Sequence, residues 1–375
     1  MNIQMVDLKG QYQGIKETIN QGIQEVLDSC WFINGPQVKR FSKNLGDYLN
    51  LNHVTPCGNG TDALQIALMA LDLQPGDEII TTAFTFVATA EVAALLNLHP
   101  VFVDIERDTF NIDPAKIEAA ITPRTKCIIP VHLYGQCANM EAIMDIANKH
   151  DLYVIEDNAQ AIGADYTLKD GTVKKSGAVG HIGCTSFYPS KNLGAYGDAG
   201  AVFTNCPWLG KKIHLVANHG QSVKYEYTAV GINSRLDSFQ AVVLDAKLAH
   251  LNQYIAARQA AAAFYDTAFA DFEPLTIPHR AAYSTHVFHQ YTLTLQNPEK
   301  REALRTFLKE KGIPSMIYYP FPLHTQKAYT KYRTQVGDLP ITEELVGKVI
   351  SLPMHTELTE EQLQYIVTNV KSFWS

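Results

Sequence analysis

The sequence predicts an α/β protein with a doubly wound, largely parallel sheet, followed by a smaller α+β region. Three observations predict it. Between about residues 55 and 205, short continuous apolar runs alternate with segments of helical spacing, the pattern of strands covered by helices on both faces. From Asp237 onward a long alanine- and leucine-rich helical stretch takes over, and the remainder mixes strands and helices. The chain has 375 residues, 46% of them hydrophobic, enough for a large core and for more than one domain. The predicted division is a large domain over residues 1–250, N-terminal helix included, and a small C-terminal domain over 251–375.

The elements follow in order. TDALQIALMALDL repeats apolar residues at helical spacing, and PGDEII reads as a turn and strand. AEVAALLNL is a helix and HPVFVDI a strand; DPAKIEAAI is a helix with Asp113 and Pro114 as its start signal. TKCIIPVHL reads as strand, MEAIMDIANKH as helix and LYVIED as strand. HIGCTSFY and GDAGAVFTN are two further strands, with Lys191 on the loop between them. DSFQAVVLDAKLAHLNQYIAARQAAAAFYDTAF reads as one long helix bridging the two domains. HQYTLTL is a strand, EKREALRTFLKEKG a helix and TEEQLQYIVTNVKSFW the closing helix.

A net charge of -7 argues against nucleic acid as a partner, because binding it needs a basic patch. The six cysteines are scattered without a C-x-x-C pair or zinc-type spacing, so they read as free thiols and no metal is expected. The N-terminus lacks the basic start and apolar run of a secretion signal, and no apolar stretch approaches the ~20 residues of a membrane span. The expectation is a cytoplasmic protein with no membrane contact.

Three polar features fall at the carboxyl ends of predicted strands, where open α/β sheets bind ligands. In CGNGTDALQIAL a glycine turn runs into a helix, so Gly60 and Thr61 can present N–H groups and a hydroxyl to a phosphate. A plain helix cap by Asn59 or Thr61 would read the same way. In LYVIEDNAQAIGA, Asp157 ends an apolar strand and Gln160 follows three residues later. A carboxylate there needs a partner, either a helix N-terminus or a cationic ring nitrogen. In TSFYPSKNLGAYGDAG, Lys191 sits on a tight loop whose glycines permit close backbone approach, and a lysine in a dry pocket can form a Schiff base. A phosphate cradle, a carboxylate for a ring nitrogen and a reactive amine are the three things pyridoxal phosphate requires.

The wording of NGTDALQIAL, FTFVATAEV, VHLYGQ, IEDNAQAIGA, TSFYPSKNLGAYGDAGAVFTN, NHGQ, GINSRLDSFQA and SLPMHTELTEEQ resembles the DegT/StrS-type nucleotide-sugar aminotransferases across nearly the whole chain. The resemblance implies a fold-type-I architecture: a mixed, mostly parallel seven-stranded sheet flanked by helices in a large cofactor-binding domain, and a smaller α+β C-terminal domain. It implies that Lys191 holds the cofactor and later moves the proton, that Asp157 pairs with the pyridine nitrogen, and that Gln160 contacts the ring hydroxyl. Gly60, Thr61 and Ser186 would hold the phosphate and Phe86 would stack on the ring. Asn233 would reach the phosphate of a neighbouring subunit, making a homodimer with shared active sites. Arg235, Tyr318, Tyr319 and His324 fall where relatives line the sugar-nucleotide pocket, although a salt bridge for Arg235 and strand packing for the tyrosines fit equally on the sequence. His132 and Tyr134 read as residues that shape the cofactor pocket.

The implied reaction is a two-stage transamination from L-glutamate, through pyridoxamine phosphate, to a nucleotide-linked keto-hexose. The best match is to 3-keto, UDP- or dTDP-linked substrates, with 4-keto sugars as the alternative. The product would be an amino sugar for polysaccharide, lipopolysaccharide or glycoside biosynthesis. Dehydratase relatives replace the lysine, so the presence of Lys191 argues for transamination. A regulatory protein on a retired enzyme fold is the rival of another class.

Overall fold

The computed structural model describes residue 1, residues 3–332 and residues 337–375. Helices α1 (Leu8–Ser29) and α2 (Pro36–Leu49) lead into a sheet of seven strands. Chain order is β1 (His53–Cys57), α3 (Gly60–Ala70), β2 (Glu78–Thr82), α4 (Ala88–Leu95), β3 (His99–Val103), β4 (Thr125–Ile128) and β5 (Tyr153–Asp157). A short hairpin, β6 (Asp165–Thr167) and β7 (Val173–Lys175), precedes β8 (Ile182–Ser186) and β9 (Gly200–Thr204). The spatial order is β1-β9-β8-β5-β4-β2-β3. β9 runs antiparallel to both of its neighbours, and the remaining pairings are parallel. The predicted mixed, mostly parallel seven-stranded sheet is therefore present.

Both faces of the sheet are dry, and the strand period of two explains why the strands read as continuous apolar runs. Ile80, Ile128, Val154 and Phe203 enter one core with Phe41 and Leu45 of α2. Their neighbours Ile79, Cys127, Ile155 and Val202 enter the opposite core with Leu64 and Ile66 of α3. Each such aliphatic side chain stabilises the fold by about 1.5–3 kcal/mol. β4 ends earlier than TKCIIPVHL suggests, because Pro130 has no N–H to continue the ladder. The six cysteines are all free thiols, as expected.

The bridging helix departs from the sequence reading. It is two helices, Ser238–Leu248 and Leu251–Phe269, interrupted at Ala249 and His250, where the His250 backbone leaves helical geometry at φ -106° and ψ 0°. Before it lies a second hairpin, β10 (Gln221–Val223) with β11 (Glu226–Tyr227). The C-terminal part carries an antiparallel sheet of β12 (Leu275–Thr276), β13 (Tyr291–Leu295) and β14 (Val349–Leu352). Its core joins Tyr265, Leu293, Leu304, Ile350 and Ile366, and Ile3 from the chain start packs into it. Asp104, just after β3, ties this part to the large sheet by accepting the Ile341 and Thr342 amides at 3.0 and 2.9 Å. Among the described residues no helix is long and apolar enough to cross a membrane, and no group of metal-ligating side chains is present.

Candidate active site

The carboxyl ends of β1 and β8 meet the start of β9, since Cys57 and Ser186 both pair with Gly200, and Asp157 at the end of β5 pairs with Cys184 of β8. Asn59 caps α3 by accepting the Asp62 amide at 2.8 Å. This leaves the Gly60 and Thr61 amides, the first two of the helix, without an intrahelical acceptor and at its positive end. A Cβ on Gly60 would lie 2.6 Å from Ser186 Cβ, so only glycine lets the turn and the serine come together. The Ser186 hydroxyl accepts the Tyr188 amide at 3.2 Å and keeps its own proton to donate. A cradle that one added carbon would fill, lined by N–H and O–H donors, suits a phosphate group.

Across the cleft, Asp157 is 5% exposed. Its Oδ2 accepts from the Thr89 hydroxyl at 2.8 Å and its Oδ1 from the Ala159 amide at 3.2 Å. Burial raises its pKa, against the opposing pull of Thr89, Ala159 and the Lys191 ammonium. Such a carboxylate gains most from a cation in front of it. Gln160 Oε1 accepts the Tyr134 amide at 2.7 Å, and its Nε2 donates to the Tyr319 hydroxyl at 3.0 Å. The Tyr134 hydroxyl in turn donates to the Tyr318 carbonyl. Phe86, exposed for an aromatic at 56%, turns its ring toward Tyr319 with 6.3 Å between centroids. That leaves an apolar face open at the cleft, where a flat ring can stack.

Lys191 keeps part of its surface open to this cleft. Burial nonetheless pushes its amine down to about 8, against the pull of the Asp157 carboxylate. A fraction of the amine is therefore unprotonated near neutral pH, as a nucleophile requires. The chain thus brings Gly60, Thr61, Ser186, Lys191, Asp157, Gln160, Phe86 and Tyr319 around one opening at the carboxyl edge of the sheet. Together they fit pyridoxal phosphate, with donors for its phosphate, a buried acid for its ring nitrogen and an amine for its aldehyde.

Of the other expected residues, two turn outward within one chain. Asn233 and Arg235 face outward on an exposed segment, and Arg235 lines a separate hollow of about 800 Å³ beside β1 and α2. His324 leans on Glu343 at 3.0 Å. Sequence reasoning missed three features. Thr89 fixes the Asp157 carboxylate. Ser234, buried between the two outward residues, accepts the Gly58 amide at 2.9 Å and donates to Asp62 at 2.6 Å, stitching their segment to the glycine turn. Glu156, pointing the opposite way from Asp157, accepts three amides, from Gly177, Val179 and Gly180. It also accepts from His132 Nε2 at 2.7 Å; the Ala138 amide donates to Nδ1 of that ring, so the proton is on Nε2. His132 thus braces the back of β5 rather than lining the cleft.

Substituting Gly60 by Ala is expected to weaken pyridoxal phosphate binding by about tenfold, because the new methyl group forces the turn off Ser186. Absorbance titration of the cofactor-free protein measures this. Unchanged affinity would exclude the turn as the phosphate cradle.

The model of the DegT/DnrJ/EryC1/StrS aminotransferase family matches residues 13–371. The chain is 46% identical to the "Pleiotropic regulatory protein" of Geobacillus stearothermophilus over 100% of this chain and 99% of that one. It is 45% identical to the UDP-2-acetamido-2-deoxy-3-oxo-D-glucuronate aminotransferase of Pseudomonas aeruginosa over 97% of this chain and 98% of that one. Among solved structures, ntda from Bacillus subtilis with bound cofactor pmp superposes with a TM-score of 0.90 at 34% identity, over 99% of this chain and 85% of that one.

Proposed function

We propose, from the premise that this chain belongs to the DegT/DnrJ/EryC1/StrS aminotransferase family, that it moves the amino group of L-glutamate to C3 of a UDP- or dTDP-linked keto-hexose. The observation that carries this reading is the Lys191 amine within electrostatic reach of the buried Asp157 carboxylate, with the Gly60–Ser186 cradle at the end of the strand next to β5. The Pseudomonas aeruginosa relative, named for a 3-oxo UDP-sugar, supports C3 over C4.

Pyridoxal phosphate, the family's cofactor, supplies an aldehyde for the amine and a ring that stores the electron pair left when the α-proton departs. Gly60, Thr61 and Ser186 would hold its phosphate, Asp157 its ring nitrogen and Gln160 its ring hydroxyl, while Phe86 would cover one face. With the cofactor bound, Lys191 Nζ would take the α-proton of the amino donor and hold it for return, and would do the same in reverse for the keto-sugar. Asp157, kept in place by Thr89, holds a proton on the ring nitrogen so that negative charge can spread onto the ring. Tyr319 closes the pocket wall against Gln160. Tyr318 and His324 follow on the same C-terminal segment, and we assign all three to the sugar-nucleotide pocket.

The outward-facing Asn233 and Arg235 suit a homodimer with shared sites. Asn233 would reach the partner's phosphate and Arg235 an anionic group of the sugar nucleotide, a pyrophosphate or a sugar carboxylate. The proposed division is a large cofactor-binding domain over 1–250 and a small C-terminal domain over 251–375. The product is an amino sugar of the kind used in polysaccharide, lipopolysaccharide or glycoside assembly, made in the cytoplasm. The regulatory reading draws on names alone, carried by the Geobacillus stearothermophilus relative and one other, whereas the paired Lys191 and Asp157 favour catalysis.

The test is colour and turnover. Purified protein with pyridoxal phosphate is expected to absorb in the visible, to bleach with L-glutamate, and then to regain colour with one of four probes: UDP- or dTDP-linked 3-keto or 4-keto sugars. Colourless protein that ignores the cofactor would sink the enzymatic reading. Recovery with 4-keto sugars alone would move the assignment to C4.

A further inference from the structure

Lys247 is among the ionisable side chains near the lysine loop that the mechanism does not use. Its side chain, on the helix Ser238–Leu248, is 1% exposed and has no carboxylate partner among the described residues. Its Nζ donates to the Gly194 carbonyl at 2.8 Å and lies 4.5 Å from the centre of the Tyr196 ring. Burial alone pushes the amine down to about 8. Two turns earlier on the same helix, Gln240 Oε1 accepts the Tyr196 amide at 2.8 Å. The two residues are seven apart and so share one helix face. They grip the loop three and five residues after Lys191.

The rest of the loop is anchored through its apolar side chains, with Phe187, Leu193 and Ala195 buried in the core beside α2. Lys191 N–H closes a turn on the Tyr188 carbonyl at 2.8 Å, and Ala195 N–H returns to Phe187 at 2.8 Å. On the other side Asn192 Nδ2 donates to the Val287 carbonyl at 2.8 Å. Gly194 is packed so tightly that a Cβ there would meet the Pro189 carbonyl oxygen at 2.3 Å, so its own carbonyl has one direction to point. An apolar side chain of the same length would fill the space at 247 without burying an ammonium, and buried charge is costly unless it is well satisfied. A lysine at that place therefore calls for a reason beyond packing.

We infer that Lys247, seconded by Gln240, is a positioning residue: it pins the Gly194–Tyr196 limb of the loop so that the Lys191 amine stands at the aldehyde position of the cofactor. This rests on the proposed role of Lys191, and the two ideas separate in the test. Cofactor-free wild type, Lys247→Met, Lys247→Arg and Gln240→Leu are mixed with pyridoxal phosphate and the growth of the visible band is timed. Borohydride reduction and peptide mapping confirm Lys191 as the point of attachment. Thermal unfolding is recorded on the same samples.

Lys247→Met is expected to attach the cofactor about tenfold more slowly, because a small misplacement of a reacting group is costly. Its unfolding temperature is expected to be equal to wild type or higher. Lys247→Arg, which keeps a donor, recovers most of the rate. In the loaded enzyme kcat falls while KM for glutamate stays within about twofold, since glutamate binding is not what changed. Attachment by Lys247→Met within twofold of wild type overturns the inference while leaving the Lys191 assignment standing. Should Lys247→Met fail to fold, Gln240→Leu, at the exposed end of the grip, decides by the same twofold limit. Wild type that never attaches the cofactor at Lys191 overturns both ideas.

Discussion

Lys191→Met is expected to abolish transamination, by at least about 10⁴-fold, and at the same time to stabilise the cofactor-free protein at pH 7. The first effect follows from removing the group that both receives the cofactor and carries the proton. The second follows from linkage. The folded-state pKa is about 8, and the free side chain titrates at about 10.4. Between those values the unfolded chain holds a proton that the folded chain does not, so wild-type stability rises with pH across that window. Below pH 8 the folded protein carries the full cost of a desolvated ammonium, about 1–3 kcal/mol once partial solvent access is allowed for. Methionine escapes that cost, and its advantage should shrink to nothing by about pH 10.4. Thermal unfolding from pH 6 to pH 10.5 measures it. A variant no more stable than wild type at pH 7 would mean that Lys191 is an ordinary solvated lysine.

Asp157→Asn carries the second large effect, a fall in kcat of about 10²–10⁴. Asparagine keeps the size and the contact with Thr89, yet it cannot hold a proton on the ring nitrogen or balance its charge. The sharpest readout is exchange of the glutamate α-proton in deuterated buffer, which isolates the step that needs the ring. Exchange near the wild-type rate would remove Asp157 from that role. Here too the sign of the stability effect is opposite to that of activity. Burial raises the Asp157 pKa, so the ionised folded form loses stability as pH rises through the acid range. The neutral amide should be at least as stable as wild type at pH 7. Both central residues thus weaken the fold they serve, the usual relation between strained sites and stability.

Much of this architecture could be read from the residues because its signals are local. Apolar runs at strand period, the Asp113–Pro114 helix start and the glycine turn before α3 each act over a few positions, and the structure reproduces them. What stayed hidden depends on contacts distant in sequence. Thr89 is an unremarkable helix residue until β5 brings Asp157 against it, 68 positions later. Glu156 and Asp157 are two adjacent acids in the text. The pleat sends one to a nest of amides and the other to the cleft. The break at Ala249–His250 was invisible because alanine and leucine suit a helix on either side of it. Lys247 reads as one more charge on a helix, and only the packing of the Gly194 turn shows it to be enclosed.

The reversed strand β9 has a consequence for how the reactive amine is mounted. In a wholly parallel sheet, the chain leaving β8 at its carboxyl end would have to cross a face and re-enter at the far edge, usually through a helix. Because β9 runs back beside β8, the segment from Phe187 to Ala199 starts and finishes on the same rim, on strands about 4.8 Å apart. Lys191 therefore rides on an arch with both feet on adjacent beams, not on a free-swinging crossover. Spreading the feet would need the Ser186–Gly200 rung to open first. Amide exchange at Phe187, whose N–H donates to the Ala199 carbonyl at 2.8 Å, should accordingly be as slow as in the sheet itself, while the crown of the arch answers only to its neighbours.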